Sequence, residues 1–571
     1  MKTTFHLFLF YFLSVNLLAQ NQIIVDGFFN DWIEDTFTFN DESSDTPGVD
    51  LLNFSVCNDD KNIYFRLKLD SEIDLSDSTD LYARIRLFID SDNNTLTGYP
   101  TNGIGSEYGI DFNEKFIWND LTYPFNVTQE PLYWLNVVPL PTITADEFEI
   151  AVDRTFFSDT ISFFFKEDID GDKMPDANQI FSYVLNNNST SNTPQVSFSK
   201  SEPTNLRLMS YNVLNNGILN PSRREQFKRV ISSVDADLYT FNECGGVTLE
   251  DMVTFFSEFS SDYWYMYKFS GGDISVSRYP ILQEFNVDMT IGATLINLPD
   301  SIYSTDILLI NGHLACCSND VSRQISADKF IQFIHNCKNG LVPLNTPFIF
   351  SGDMNLVGYK QQYETILNGS IFDTSSYGIG GFPDWDNTPL IDQVCVINES
   401  NQSYTWRDRN PSSGAYPPGR LDFIFYSNSV LTVDKSFTIS TIHMSEELLS
   451  ANNLSTNDTE IASDHLPVVA DFMVKFSDEY ILNNGGNNSS DCSSYSIYLS
   501  QGWNMIGFGC INSLDSEIVF SPIIDHIVIV KDNLGNAYLP EWNFNGIGDL
   551  ERGYGYQIKI TEVIENYNIC E

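Results

Sequence analysis

The sequence predicts a multidomain, β-rich protein in three parts: an N-terminal all-β sandwich, a central layered α/β domain and a small C-terminal β-module. Three observations predict it. Two polar stretches, Leu185 to Asn205 and Asn483 to Ser494, have linker composition and bound regions of about 22–190, 205–476 and 492–571. The outer regions carry strand patterns, and the middle one alternates strand and helix patterns. The length of 571 residues suits three or four domains.

Residues 1–20 read as a secretory signal, with Lys2, an apolar run from Phe5 to Leu18 and a cleavage region at Leu18-Ala19-Gln20. No later segment is long and apolar enough to cross a bilayer. A secreted or cell-surface protein is expected. The net charge of −47 opposes tight non-specific binding to a polyanion, which needs Lys and Arg to release counterions. Nine cysteines, an odd count, leave at least one thiol without an intrachain partner. A local bridge among Cys492, Cys510 and Cys570 is open. For the adjacent Cys316-Cys317, two buried thiols are expected over a vicinal disulfide.

In the first region, Ile63 to Leu69 and Tyr82 to Ile89 alternate apolar and polar residues, as half-buried strands do. Strands of this kind between Asp/Asn/Gly turns predict a sandwich. Asp168, Asp170, Asp172 and Asp176 alternate around Gly171 and are expected to hold Ca²⁺, because that spacing turns oxygens toward one centre. Asp90-Ser91-Asp92-Asn93-Asn94 repeats the pattern more weakly.

In the middle region, Leu206 to Tyr211, Leu238 to Phe241, Ile307 to Ile310 and Pro347 to Phe350 read as strands. Helices are predicted over Arg223 to Val234 and Ser322 to Cys337. Polar residues stand where these strands end: Asn212, Glu243, His313, then Asp353 and Asn355. Asp422 and Asp464-His465 stand just before two further apolar runs. A strand-end Asp alone is usually a turn or cap. The ordered set is more specific, since rigid sheets fix the loops that carry chemistry. In the last region Ile523 to Val530 and Tyr556 to Ile560 read as strands, with Trp503 and Trp542 expected in its core.

The fragments SYNV, NE, SRYP, GHL, GDMN, RLDFIF and SDHLPV, in this order over about 205–476, resemble the endonuclease/exonuclease/phosphatase superfamily. The resemblance implies a deoxyribonuclease-I-like four-layer sandwich and a divalent-metal-dependent phosphoester hydrolase using Mg²⁺ or Mn²⁺. It implies Glu243, Asn212 and Asp464 around the metal, His465 as general base oriented by Asp422, and His313 stabilising the transition state or protonating the leaving oxygen. Asp353 and Asn355 would hold the attacking water and a phosphoryl oxygen, with the choice of base between His465 and Asp353 left open. Asn242 departs from the family's usual Gln, one methylene shorter. Arg278 is expected to pair structurally, and Trp406 to pack. The opening Val25-Asp26-Gly27 to Asp31-Trp32 resembles carbohydrate-binding family 9-like or DOMON-like sandwiches, which implies a glycan partner.

The substrate expected is a phosphoester, with a nuclease or phosphodiesterase as the leading reading and nucleic acid as its partner. A phosphomonoesterase or sphingomyelinase-type lipid hydrolase is the alternative. A glycan-binding protein with a vestigial hydrolase domain is the third.

Overall fold

The computed structural model describes residues 22–32, 37–43, 46–77, 84–121, 127–176, 179–475, 496–509 and 513–569. The predicted signal, the second polar stretch and Cys492, Cys510 and Cys570 lie outside these residues. The chain forms two compact units, residues 1–477 and 478–571, and the sandwich and the α/β region share the first. Among the described residues no helix is long and apolar enough to cross a membrane.

The sandwich packs two antiparallel sheets. One runs in the order Phe37–Asn40, Leu51–Asn58, Asn62–Ile73, Ala145–Asp153, Val138–Leu140. The other is centred on Thr160–Glu167, Ile85–Asp90 and Tyr108–Asp111. Period-two alternation sends Phe54, Phe65, Phe163 and Phe165 into the space between them.

The α/β region contains two six-stranded sheets. The first runs Tyr265–Lys268, Ile274–Ser277, Leu238–Asn242, Leu206–Asn212, Val468–Val474, Leu431–Thr438. The second runs Ile281–Asn286, Ile291–Ile296, Ile307–His313, Phe348–Asp353, Asp422–Tyr426, Ile391–Asp392. Leu208, Leu238, Ile307, Ile349, Ile424 and Ala470 join the sheets face to face. Outside, Phe227, Val230 and Ile231 pack helix Arg224–Ser232 on the first sheet. Phe330, Ile331 and Ile334 pack helix Asp320–Asn336 on the second. Strands buried on both faces read as continuous apolar runs, which is why they were legible. The layers are helix, sheet, sheet, helix.

The Leu185–Asn205 stretch is not a free linker. Phe198 is buried against Phe437, ring centroids 5.0 Å apart, and the buried Arg207 donates to the Phe198 carbonyl. One aromatic and a few carbonyls suffice to dock a segment whose composition is otherwise that of a linker.

The sandwich and the α/β region also share a core. Val25, Trp32, Tyr64 and Leu140 from the sandwich pack with Ile397, Tyr404 and Leu466. Val25 bonds through its N–H to the Asn401 carbonyl at 2.8 Å, and its carbonyl accepts from Ser403 N at 3.1 Å. The buried Glu149 accepts from Asp26 N, Gly27 N and Trp32 Nε1, and burial pushes its carboxyl up to about 8. In this structure the Asp-Gly and Asp-Trp residues therefore serve as a latch that holds segment 22–32 across both parts.

The C-terminal unit is built on a five-stranded sheet containing Gly502–Gly507, Gly555–Ile560 and Ile527–Lys531. Ile506, Phe508, Val530, Tyr538 and Ile558 form its core. The two tryptophans expected there are outside it: Trp503 is 51% and Trp542 74% exposed. Trp503 instead lies under the ammonium groups of Lys531 and Lys559. The first part of the predicted strand over Ile523–Val530 is a 3₁₀ turn, Ser521–His526, opened by Pro522 near its start.

Candidate active site

Each central sheet contains one parallel pair, and the site forms where both pairs end. In the first sheet Asn212 lies opposite Asn242, with Glu243 next. In the second, His313 lies opposite Asp353, and Asp353 opposite Asp422. Residues directly opposite on neighbouring strands share a face, so register alone places His313, Asp353 and Asp422 in a row. Asp464 and His465 enter from the segment before Val468–Val474.

Asn242 ties the sheets together. Its Oδ1 accepts from Asp353 N at 3.0 Å, and its Nδ2 donates to Asn311 Oδ1 at 2.9 Å and to the Gly312 carbonyl at 3.2 Å. The shorter amide therefore reaches its partners. Close approach needs glycine at Gly352: its φ is +141°, and a Cβ there would lie 1.9 Å from the Gly312 carbonyl oxygen.

Asp353 is the centre of the cluster. It is buried, and its Oδ2 lies 3.7 Å from His313 Nε2 and 3.6 Å from His465 Nε2. Asn212 Nδ2 donates to the same oxygen at 2.9 Å and to Glu243 Oε1 at 3.2 Å. Burial raises the Asp353 carboxyl to about 6, against the two imidazoles, which lower it.

The two histidines are held differently. His465 Nδ1 lies 2.8 Å from Asp422 Oδ2, and both side chains are buried. Burial pulls this imidazole down, but Asp422 and Asp353 outweigh it and push it up to about 10. His313 Nδ1 lies 3.3 Å from Asp273 Oδ2, with the imidazole 27% exposed. Burial again pulls down, and Asp273 and Asp353 raise it to about 9.

Asp273 is the residue the sequence reading missed. It follows Gly271-Gly272 in a turn and carries no apolar periodicity. A buried carboxylate was needed to orient His313, and the second glycine's φ of +98° lets the turn deliver it.

Glu243 adopts φ +59°, unusual for a residue with a Cβ and a sign of local strain at a site. Its Oε2 accepts from Asn215 N at 2.5 Å. Asn212 Oδ1 accepts from Leu214 N at 2.9 Å, and its Nδ2 bridges two carboxylates. In this arrangement it aligns Glu243 and Asp353 through its amide nitrogen. Asn355 is buried, with Nδ2 on the Leu314 carbonyl at 3.0 Å. Asp464 Oδ2 accepts from Trp406 Nε1 at 3.3 Å, so Trp406 contacts the site and is more than packing. Arg278 pairs with Asp235, Asp237 and Asp262, away from this cluster.

The site opens into a cleft of about 1020 Å³. Cys316 and Cys317 line it as exposed free thiols, not as the buried pair expected, because their turn faces the opening.

The predicted calcium loop is not brought together. Asp168 is paired with Arg86 and Lys166, and Asp172 accepts from Leu51 N and Lys173 N. Neighbouring cations and backbone amides thus satisfy these carboxylates separately. Among the described residues, the acidic group with ligand atoms within 4.8 Å of one another is Asp90, Asp92 and Glu107. Oε1 of the buried Glu107 has no hydrogen-bond partner.

No protein-family model and no curated protein sequence matches this chain. Among solved structures, the human Nocturnin catalytic domain with bound sulfate anion is similar at 17% identity. It covers 48% of this chain and 95% of that one, with a TM-score of 0.32. Beta toxin from Staphylococcus aureus is similar at 17% identity over 46% of this chain and 99% of that one, TM-score 0.30. A carbohydrate binding module family 9 from Caldicellulosiruptor kristjanssonii, in complex with cellotriose, is similar at 14% identity over 30% of this chain and 94% of that one, TM-score 0.21.

Proposed function

We propose that this chain is an exported, divalent-metal-dependent phosphoester hydrolase acting by in-line attack of water on phosphorus. The observation that carries the reading is the convergence of His313 and His465, each backed by its own carboxylate, on one buried oxygen of Asp353. Paired imidazoles at the two sides of one position suit a reaction that removes one proton and supplies another.

The donor set fits Mg²⁺ or Mn²⁺. Glu243 and Asp464 offer hard oxygens, and Mg²⁺ needs only one or two carboxylates because it keeps several waters. A cation held there supplies positive charge to the phosphoryl oxygens and, beside Asp353, offsets the carboxylate field that keeps the imidazoles protonated.

The side chains do the rest. Asp422 anchors His465 through Nδ1, which leaves Nε2 as the edge facing the reacting position. Nε2 takes the proton from water as the new oxygen–phosphorus bond forms. The ester oxygen–phosphorus bond breaks, and His313 returns a proton to the leaving oxygen. Asp353 and Asn355 orient the water and one phosphoryl oxygen. The test is hydrolysis of DNA, RNA, bis-(p-nitrophenyl) phosphate, phosphomonoesters and sphingomyelin with Mg²⁺ or Mn²⁺. Turnover abolished by a chelator and restored by metal is expected. Folded, metal-supplied protein inert on the whole panel would falsify the reading.

The Ca²⁺ expected in the sandwich is matched better by Asp90, Asp92 and Glu107. The buried Oε1 of Glu107 has no hydrogen-bond partner, and a cation there would compensate it. Addition of Ca²⁺ is expected to raise the melting temperature, and Glu107→Gln to remove that increment. A melting temperature indifferent to Ca²⁺ counts against this site.

A further inference from the structure

The cleft over the catalytic cluster is not made by the α/β region alone. Leu75, Ser76, Phe112, Leu132, Pro139 and Thr142 of the sandwich line it opposite Glu243, His313 and His465. These residues are fixed in place. The shared core reaches Leu466, the residue after His465. Thr142 Oγ1 donates to the Leu356 carbonyl at 2.8 Å, and Thr144 N to the Gly358 carbonyl at 2.7 Å.

The sandwich also holds a segment that lines the cleft. Between Trp406 and Gly419, Asp408 N donates to Tyr133 Oη at 2.7 Å and Gly414 N to the Lys115 carbonyl at 3.0 Å. Lys115 Nζ lies 4.6 Å over the Tyr416 ring. Tyr416, Pro417 and Pro418 of this segment face the cleft.

Charge then narrows what can enter. Among the described lining residues the one Lys or Arg is Arg323, against Asp74, Asp77, Glu243, Asp320, Asp353 and Asp464. Arg323 is itself spent on Ala315, Cys317, Gln362 and Asp320. A polynucleotide needs a basic track along its backbone, and none runs along this lining. A cleft of about 1020 Å³ matches a compact ligand.

We propose that the sandwich is the second wall of the substrate cleft. With the 407–419 segment it restricts the site to compact phosphodiesters bearing an apolar or aromatic substituent and excludes duplex polynucleotides. This rests on the hydrolase reading above.

The test uses the full chain with Mn²⁺ on thymidine 5′-(p-nitrophenyl phosphate), methyl p-nitrophenyl phosphate and supercoiled plasmid. Ser76→Trp, which fills the sandwich wall, is expected to raise KM for the thymidine ester about 10-fold with kcat held, and to raise that for the smaller methyl ester by less. Tyr416→Ala, on an exposed ring, is expected to raise the same KM about 10-fold through lost stacking. Plasmid nicking is expected to be at least about 100-fold slower per site than turnover of the thymidine ester. Should Ser76→Trp fail to fold, Tyr416→Ala decides. Plasmid nicking at the ester's rate, or an unchanged thymidine-ester KM in the folded variants, overturns the wall and leaves the hydrolase standing. Inactivity on all three substrates overturns both.

Discussion

The two sides of the candidate site hold the same pair of groups at different tightness. On one side Asp422 and His465 are both buried and 2.8 Å apart. On the other Asp273 is buried, but His313 is 27% exposed and the separation is 3.3 Å. A buried pair has no water to substitute for a lost partner, whereas a half-open one does. The tight side is suited to a single proton position, and the open side to meeting a leaving group that arrives from the cleft.

The largest break of this comparison is His465→Ala, expected to lower kcat by about 10³–10⁴-fold as the base is lost. Asp422→Asn should follow at about 10²–10³-fold, because the amide cannot accept from Nδ1–H as a carboxylate does. On the open side, His313→Ala is expected to lower kcat by about 10²-fold. Asp273→Asn should lower it by about 10-fold, since water at the exposed face can take over part of the orientation. Steady-state kinetics on one small diester ranks all four. An effect of Asp273→Asn equal to that of Asp422→Asn would dissolve the distinction between the two sides.

The last expected effect concerns stability and a third histidine. His443 is half-buried near Tyr404, and desolvation lowers its pKa to about 4. The unfolded chain binds this proton near pH 6.5 and the folded chain does not. Stability from this group is therefore present above pH 6.5 and lost as pH falls toward 4, at about 1.4 kcal/mol per pH unit. Denaturant melts of the wild type and His443→Gln across that range measure it. Parallel pH dependence in both proteins rules out His443 as the source.

The central strands were legible because doubly buried strands are unbroken apolar runs, and polar residues ending them stand out. Asn212, Glu243, His313, Asp353, Asp422 and His465 meet in one cluster for that reason. What the chain concealed was set by tertiary packing. Asp273 carries no local signal, as its partner lies 40 residues on and its turn looks like any Gly-Gly-Asp loop. Trp503 and Trp542 were placed by residue type, yet smaller apolar residues from strands fill that core. The Asp168 loop had ligand spacing, but Arg86 and Lys166 from neighbouring strands captured its first carboxylate. The wall formed by the sandwich was hidden because nothing in the sequence states that two regions share a core.

The latch on segment 22–32 has a consequence for how the protein comes into being. Ser403 Oγ donates to the Val25 carbonyl across a sequence separation of 378. Contacts of such separation form late, since loop closure must precede them. The first described residues to leave the ribosome therefore wait for partners as far along as Leu466, and the two parts join only after those have been made. On the proposed second wall, the selectivity of the site begins with the assembly of this unit.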